Sequence, residues 1–468
     1  MDLRPYQFEC LDKLRNAYKK GKRAPLLVSP TGSGKTVMFA KITAGRLKKG
    51  GRPMILCHRA ELVEQIVRAL KAEGIEPGII AAGSPFEPEN PVQVASVFTL
   101  INRLGKITQP DLLIVDEAHH ATPKTSWGKV LRHWPSALRL GVTATPWRLS
   151  GEGLDDIFDD LVLGPTTQEL IDDGYLSPVR VFAPSSPDLS GARKRMGEFV
   201  AGDIESAMSS KSIVGDTLTH YRRHADGRRG IVFCVSVAHA RAVADQFQSI
   251  GYRAASIDGT MEKKERQEII RKFTNGELSV LTSCDLVSEG FDVPAIEVGI
   301  SLRPTQSLGL WLQQVGRCLR PMAGKTHALV LDHAGNTLRH GLPTDDRLWT
   351  LAGREIKRGA VQENIAGVRV CTCCFAASPA TSPVCKECGA PFPVKARKVE
   401  EEEGELQEIK AGEVKPKKQI NNADTLDGLI ELGRRRGYIN PYGWARHIME
   451  ARNKKRSNSS RFNHNGRY

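Results

Sequence analysis

The stretch that most limits what this chain can fold into is "APLLVSPTGSGKTVMFAKITAGRLKK", Ala24 to Lys49. An apolar run of strand length leads into small residues, and an amphipathic helix pattern starts directly after them. Such a loop can turn tightly enough for the N–H groups of Gly32 to Thr36 to surround an anion, with the helix N-terminus behind them. The order strand, loop, helix therefore predicts a phosphate cradle lined by Ser29, Thr31, Gly32, Ser33 and Gly34. In it Lys35 would reach the β and γ phosphates of a nucleotide, and the Thr36 hydroxyl would ligate magnesium. The usual pattern opens with Gly where this chain has Ser29, so the loop is a variant.

A second stretch, "LLIVDEAHHATPKT" from Leu112 to Thr125, runs four apolar residues straight into Asp116 and Glu117. Two adjacent anions at the end of a buried strand repel each other and resist desolvation, so a cation must be expected. Magnesium on the nucleotide supplies it. Asp116 would hold the metal at the carboxyl end of its strand, and Glu117 would orient and deprotonate an attacking water. The position of His119 beside the γ-phosphate suggests that it relays nucleotide state to the "VTATP" segment, Val142 to Pro146.

The 468 residues suffice for two or three domains with real cores, and 40% hydrophobic content is globular. The 67 basic residues outnumber 53 acidic ones, a formal charge of +14. That balance suits a polyanionic partner, most simply nucleic acid, or a generally soluble surface; charge alone does not choose. The N-terminus lacks a signal-peptide core and no run is long enough to span a bilayer, so a soluble cytoplasmic protein without a membrane partner is expected. Of ten cysteines, Cys10, Cys57, Cys234, Cys284 and Cys318 are scattered and read as reduced core residues.

Apolar runs alternate with amphipathic segments along most of the chain. "APLLVS", "PMILCH", "PVQVASV", "DLLIVDE" and "LRLGVTAT" read as one set of strands. "GIVFCVS", "RAASIDG", "LSVLTSC", "VGISLRP" and "HALVLDH" read as a second set. This predicts an α/β class fold with two tandem domains, each a parallel sheet covered by helices. The expected boundaries are 1–165 for the first domain, 166–212 for a connection and 213–345 for the second domain. A cysteine module at 346–394, a charged linker at 395–420 and a helical basic tail at 421–468 would follow.

In order along residues 1–345, the motifs resemble those of superfamily 2 helicases and translocases of the DEAH-containing kind. "RPYQFECL" resembles the adenine-recognition segment, with Gln7 as reader and Arg4 and Tyr6 in support. "SPTGSGKT", "LCHRAELVEQ", "VASVFTLINR", "DEAHH" and "GVTATPWR" resemble motifs I, Ia, Ib, II and III. "IVFCVSVAHA", "LTSCDLVSEGFDVPAIEVGISLRPT" and "QQVGRCLR" resemble motifs IV, V and VI. The resemblance implies two RecA-like domains with ATP between them and nucleic acid across both. It implies that Gly290 and Asp292 approach the nucleotide, and that Arg317 and Arg320 act as arginine fingers with Gln313 nearby. A guanidinium entering from another domain neutralises transition-state charge only when the cleft is closed, which would tie hydrolysis to motion. For the nucleic-acid track the family logic points to His58, Arg59, Ser96, Thr99, Ser236 and Thr282, each of which could instead be a helix cap. Trp147 reads as a packed residue more readily than a stacking one.

Five cysteines crowd between Cys371 and Cys388. Cys371-x2-Cys374, ten residues, then Cys385-x2-Cys388 is the spacing of a tetrahedral structural zinc site, with Gly389 relieving the second knuckle. Cys373 competes for a place in the first pair, and a disulfide pairing is the alternative. A helicase core followed by such a module and a basic tail (Arg434 to Arg436, Lys454 to Arg456) resembles the RadD-like bacterial and phage helicases. That implies a DNA helicase or translocase working on single-stranded or branched DNA in recombination, repair or replication. It further implies partner proteins of those processes and a place at the nucleoid of a bacterial or phage-infected cell; the sequence does not encode an oligomeric state legibly, and a monomer is the favoured expectation. The motor subunit of a restriction system, an RNA helicase and a non-enzymatic nucleotide-gated DNA clamp are the competing readings.

Overall fold

The computed structural model describes residues 2–183, 187, 189, 191–195, 198–209, 211–284, 296–353, 367–392, 425–435, 441–443, 445, 446 and 449. They divide into two units, Met1–Pro393 and Val394–Tyr468. The larger unit is built on two parallel sheets. The first holds β1 (Pro25–Val28), β2 (Pro53–Cys57), β3 (Gly78–Ile80), β4 (Gln93–Ser96), β5 (Leu112–Asp116), β6 (Leu138–Thr143) and β7 (Asp160–Leu163). Their order in the sheet is β3-β4-β2-β5-β6-β1-β7. All five strands expected in this half form. The two additions, β3 and β7, have three and four residues and form the two edges of the sheet.

Alternation explains why these runs are apolar throughout. Successive side chains of a strand point to opposite faces, and helices cover both faces here. Leu27, Ile55, Cys57, Leu112 and Ile114 join one core, while Leu26, Val28, Met54, Leu56, Leu113 and Val115 join the other. The covering helices are α1 (Pro5–Lys19), α2 (Lys35–Leu47), α3 (Ala60–Lys71), α4 (Val97–Leu100) and α5 (Ser126–His133).

The second sheet contains β8 (Val179–Phe182) and, past a two-residue pairing of β9 (Lys194–Arg195) with β10 (Glu198–Phe199), five more strands. These are β11 (Gly230–Phe233), β12 (Ala254–Ile257), β13 (Val280–Ser283), β14 (Val298–Ser301) and β15 (Ala328–Asp332), in the order β12-β13-β11-β14-β15-β8. Its helices are α6 (Thr167–Asp172), α7 (Ala201–Met208), α8 (Lys211–Ala225), α9 (Val237–Ser249), α10 (Lys263–Thr274), α11 (Leu308–Cys318) and α12 (Asn336–His340). The sequence pattern missed β8, which lies in the stretch read as a connection and pairs with β15.

The cysteine segment carries β16 (Val368–Val370) and β17 (Ala377–Pro379), an antiparallel pair. It continues the edge of the second sheet. Ala183 N–H donates to Phe375 O at 3.0 Å, Phe182 bridges to Ala376, and Arg180 pairs with Glu387. Cys371, Ala376, Cys385 and Phe392 lie in the same core as Phe182, Val232 and Leu329. The C-terminal unit contains α13 (Leu426–Arg435). Among the described residues, no helix is long and apolar enough to cross a membrane.

Candidate active site between the two sheets

Open parallel sheets bind ligands at the carboxyl ends of their strands, and the candidate residues collect there. β1 and β5 flank β6, so the Ser29–Thr36 loop and the Asp116–Glu117 pair face each other across the end of one strand. Gly32 and Gly34 take φ of +88° and +78°, the left-handed turns the loop needs before α2 can start. Ser29 Oγ donates to Ser33 Oγ at 2.8 Å, so the serine in place of the first glycine braces the loop. Lys35 Nζ folds back onto Ser29 O at 3.0 Å and Pro30 O at 3.2 Å. Burial holds the Lys35 amine below its ordinary pKa, partly offset by Glu117 and Asp116. Thr36 stands in the first turn of α2.

Asp116 is buried, and burial together with the charge of Glu117 pushes its carboxyl well above the usual carboxylate range. Glu117 sits at φ 47°, a left-handed backbone that costs a non-glycine residue about 1–2 kcal/mol. Its N–H donates to Asp116 Oδ1 at 3.0 Å. Its own Oε2 is buried with no hydrogen-bond partner, 3.5 Å from His119 Nδ1. A strained backbone and an orphaned carboxylate oxygen suit a group held ready for a ligand.

His119 joins the two sheets. Thr143 Oγ1 donates its proton to Thr145 O at 2.8 Å, so His119 Nδ1, 3.0 Å from that hydroxyl, must be the donor there. Nε2 is then left to accept from Gln313 Nε2 at 3.4 Å, on α11 of the second sheet. Beside it, α11 meets the phosphate loop. A Cβ built on Gly316 would lie 2.5 Å from Thr31 Cβ, and one on Gly32 would lie 3.8 Å from Arg320 Cγ. Arg317 is buried in the same seam, and both arginines act electrostatically on Lys35. The structure thus brings Lys35, Asp116, Glu117, His119, Gln313, Arg317 and Arg320 to one cleft.

Gln7 is already engaged. Its Nε2 donates to Ser33 O at 3.0 Å and its Oε1 accepts from Arg4 N at 2.9 Å, while Tyr6 OH donates to Ser33 O at 2.7 Å. Arg4 lies over the ring of Tyr175, 4.7 Å from its centre. Tyr175 sits in the looser stretch between the sheets, where no periodicity marked it. Gly290 and Asp292 lie outside the described residues.

The nucleic-acid candidates divide. His58 and Arg59 follow β2, and Ser96 ends the neighbouring β4 with Thr99 in α4. The ring of His58 lies 4.1 Å from His120, which lies 4.2 Å from His119. Ser236 caps α9, accepting from His239 N at 3.0 Å. Thr282 corrects the expectation: it is wholly buried in β13 with its hydroxyl donated to Ala240 O at 2.7 Å, so its side chain cannot reach a phosphate. Both faces of β13 are covered, so Ser283 is buried as well, and Cys284, just past the strand end, is partly exposed. Trp147 packs, as expected, edge-on to Trp349.

Cys371, Cys374, Cys385 and Cys388 bring their sulfurs within 4.8 Å of one another, without Cys373. All are free, and Cys371 with Cys388 and Cys374 with Cys385 stand 3.6 Å apart. The edge of a zinc tetrahedron with sulfur ligands is about 3.8 Å, so the four fit that ion. Each knuckle ends in a left-handed residue, Phe375 at φ 62° and Gly389 at φ 72°.

Residues 1–148 match the family model for the type III restriction enzyme res subunit, and residues 212–322 match the helicase conserved C-terminal domain. The chain is 36% identical over 374 residues to a 51.5 kDa protein of a Lactococcus phage, covering 80% of this chain and 79% of that protein. It is 29% identical over 355 residues to the putative ATP-dependent helicase IRC3 of Saccharomyces cerevisiae, covering 71% of this chain and 51% of the yeast protein, so it spans about half of that relative's length. Its fold is similar to a fragment of a putative HsdR subunit of a type I restriction enzyme from Vibrio vulnificus, with a TM-score of 0.58 and 22% identity over 72% of this chain and 65% of that one. With two RecA-like sheets meeting at one phosphate loop, the chain belongs to the superfamily 2 helicases.

Proposed function

We propose that this chain is an ATP-dependent DNA helicase or translocase, in which hydrolysis between the two sheets drives movement along, or opening of, single-stranded or branched DNA. The observation that carries the reading is the convergence of Lys35, Asp116 and Glu117 from the first sheet with Gln313, Arg317 and Arg320 from the second.

In this reading Lys35 leaves Ser29 O and Pro30 O to bind the β and γ phosphates of ATP, among the amides of Gly32 to Thr36. Thr36 and Asp116 would hold magnesium, which when bound neutralises phosphate charge. Glu117 Oε2 takes a proton from water as the water oxygen bonds to the γ-phosphorus. The bond from that phosphorus to the bridging oxygen breaks, leaving ADP and phosphate. Arg317 and Arg320 offset charge on the γ oxygens only while α11 lies against the phosphate loop, so turnover requires the closed cleft. His119 reports that closure to Thr143 through its two ring nitrogens. Arg4 and Gln7 would read adenine once Gln7 gives up one of its present bonds. The roles of Gly290 and Asp292 rest on the resemblance alone. The four thiolates would bind a structural zinc. His58, Arg59, Ser96 and Thr99 would follow the nucleic-acid backbone.

The formal charge of +14 and the restriction-enzyme likeness of residues 1–148 support DNA as the track. The four-cysteine module behind the helicase core supports a RadD-like role in recombination, repair or replication. A second reading, the motor subunit of a restriction system, is favoured by that same family match and by the HsdR-like fold.

The deciding measurement is steady-state ATP turnover with single-stranded, forked and duplex DNA and with RNA, using Lys35→Ala as control. Stimulation by forked or single-stranded DNA, lost in the control, supports the helicase. Stimulation by duplex alone favours the restriction motor, by RNA alone overturns the DNA assignment, and by nothing leaves a nucleotide-gated clamp.

A further inference from the structure

The two sheets are joined covalently by the chain from Gly164 to Ser177, but that is not their only tie. Past α12 the chain leaves the second sheet and docks on the first. Arg347 fastens the near end: its guanidinium donates to Asp345 O at 2.8 Å and Leu342 O at 2.6 Å, and Leu342 belongs to a second-sheet core. Trp349 and Leu351 fasten the far end in a first-sheet core. Only Leu348, 92% exposed, lies between the two fastenings. Two residues of chain reach about 7 Å.

The far end is held by backbone as well as by packing. Leu154 N and Asp155 N both donate to Leu351 O, at 2.7 and 3.2 Å, Glu152 bridges to Gly353, and Trp147 Nε1 donates to Thr350 O at 2.9 Å. A Cβ on Gly153 would stand 1.9 Å from Leu351 O, so the approach needs glycine there. The dock also leads inward. Arg148, next to Trp147, donates to Gly153 O at 2.5 Å on one side, and on the other it donates twice to Ala121 O, at 3.1 and 2.9 Å, directly after the Asp116–His120 run. Both crossings line one cavity beside Thr31: Leu163 to Thr167 from the first, Asp345 to Arg347 and Trp349 from the second.

We propose that residues 347–353 form a permanent second tether that pins the two sheets along this edge, with Trp349 as the positioning residue that holds the Asp116–His120 loop in place through Trp147 and Arg148. Opening of the cleft then swings about the tether rather than peeling it. The coupling part rests on the motor reading; the tether itself does not.

The test combines amide hydrogen exchange with kinetics on the full chain. In the wild type, exchange at Leu154 and Asp155 should stay within about twofold without nucleotide, with a non-hydrolysable ATP analogue, and with analogue plus single-stranded DNA. Trp349→Ala and Gly153→Ala should each speed that exchange and lower DNA-stimulated kcat about tenfold while KM for ATP moves less than about twofold. Trp349→Phe should restore most of the rate. Loss of wild-type protection on binding the analogue would make the segment a lid and overturn the tether. Faster exchange with an unchanged stimulated kcat would overturn the positioning role. A wild type without DNA-stimulated turnover would sink the motor reading instead, and the wild-type exchange comparison, which needs no variant to fold, would still decide the tether.

Discussion

Two places in this molecule gather groups suited to a cation, and they are built differently. Asp116 and Glu117 stand at the end of a strand hydrogen-bonded on both sides, backed by cores that close without them. The four cysteines come from two knuckles on a segment with only two three-residue strands of its own. The carboxylates are therefore positioned by a fold that does not need their cation. The cysteines lean on the edge of the second sheet, and two of them, Cys371 and Cys385, are themselves part of its core. On the proposed function, a cation at the first place would serve turnover and one at the second would serve folding.

The sharpest way to break that contrast is Glu117→Gln. Removing a general base should lower kcat by about 10²–10⁴-fold, with ATP still bound and the melting temperature nearly unchanged. Single-turnover hydrolysis with a parallel ATP-binding assay measures it, and near-normal turnover would take the base away from Glu117. Cys385→Ser should do the reverse. Metal analysis should find about one zinc per wild-type chain and far less in the variant, and a loss of about 3 kcal/mol would lower the melting temperature by roughly 6–12 °C. Turnover without DNA, measured well below that temperature, should change little.

A smaller effect refines the carboxylate side. Burial and Glu117 hold Asp116 above its ordinary pKa in the folded chain, so its ionised form is disfavoured by folding. The penalty is complete above the folded value and fades as pH falls toward the unfolded value near about 4. Asp116→Asn should thus raise the melting temperature of the nucleotide-free protein by about 5 °C at pH 8, with the gain shrinking as pH falls below about 7. Magnesium and ATP should stabilise the wild type more than the variant. An equal response in both would remove Asp116 from the metal site.

Several of these features could be read before any fold was seen. The phosphate loop announces itself because small residues, a lysine and a helix start are needed in a fixed order. The cysteine ligands announce themselves because a knuckle needs a two-residue gap, which already favours Cys374 over Cys373, and the four clustered sulfurs leave Cys373 out. Thr282 misled because helices cover both faces of β13 and bury Thr282 and Ser283 alike, which their small polar side chains do not announce. β3, β7 and β8 were silent because all three are edge strands, and β7 and β8 are only half-buried and carry Asp160 and Arg180 where a buried strand would be apolar.

What the sequence determined by itself is local chemistry: strand, loop and helix around Lys35, the paired carboxylates, the arginines of "QQVGRCLR" and the spacing of four cysteines. What only the tertiary structure decided is company. That His119 meets Gln313, that Gly316 admits Thr31, that Gln7 grips Ser33 and that Trp349 returns to Trp147 are contacts between residues 26 to 285 positions apart. Local propensity and spacing act over a few residues, whereas such pairs are chosen by how two whole sheets pack. That choice belongs to the folded chain.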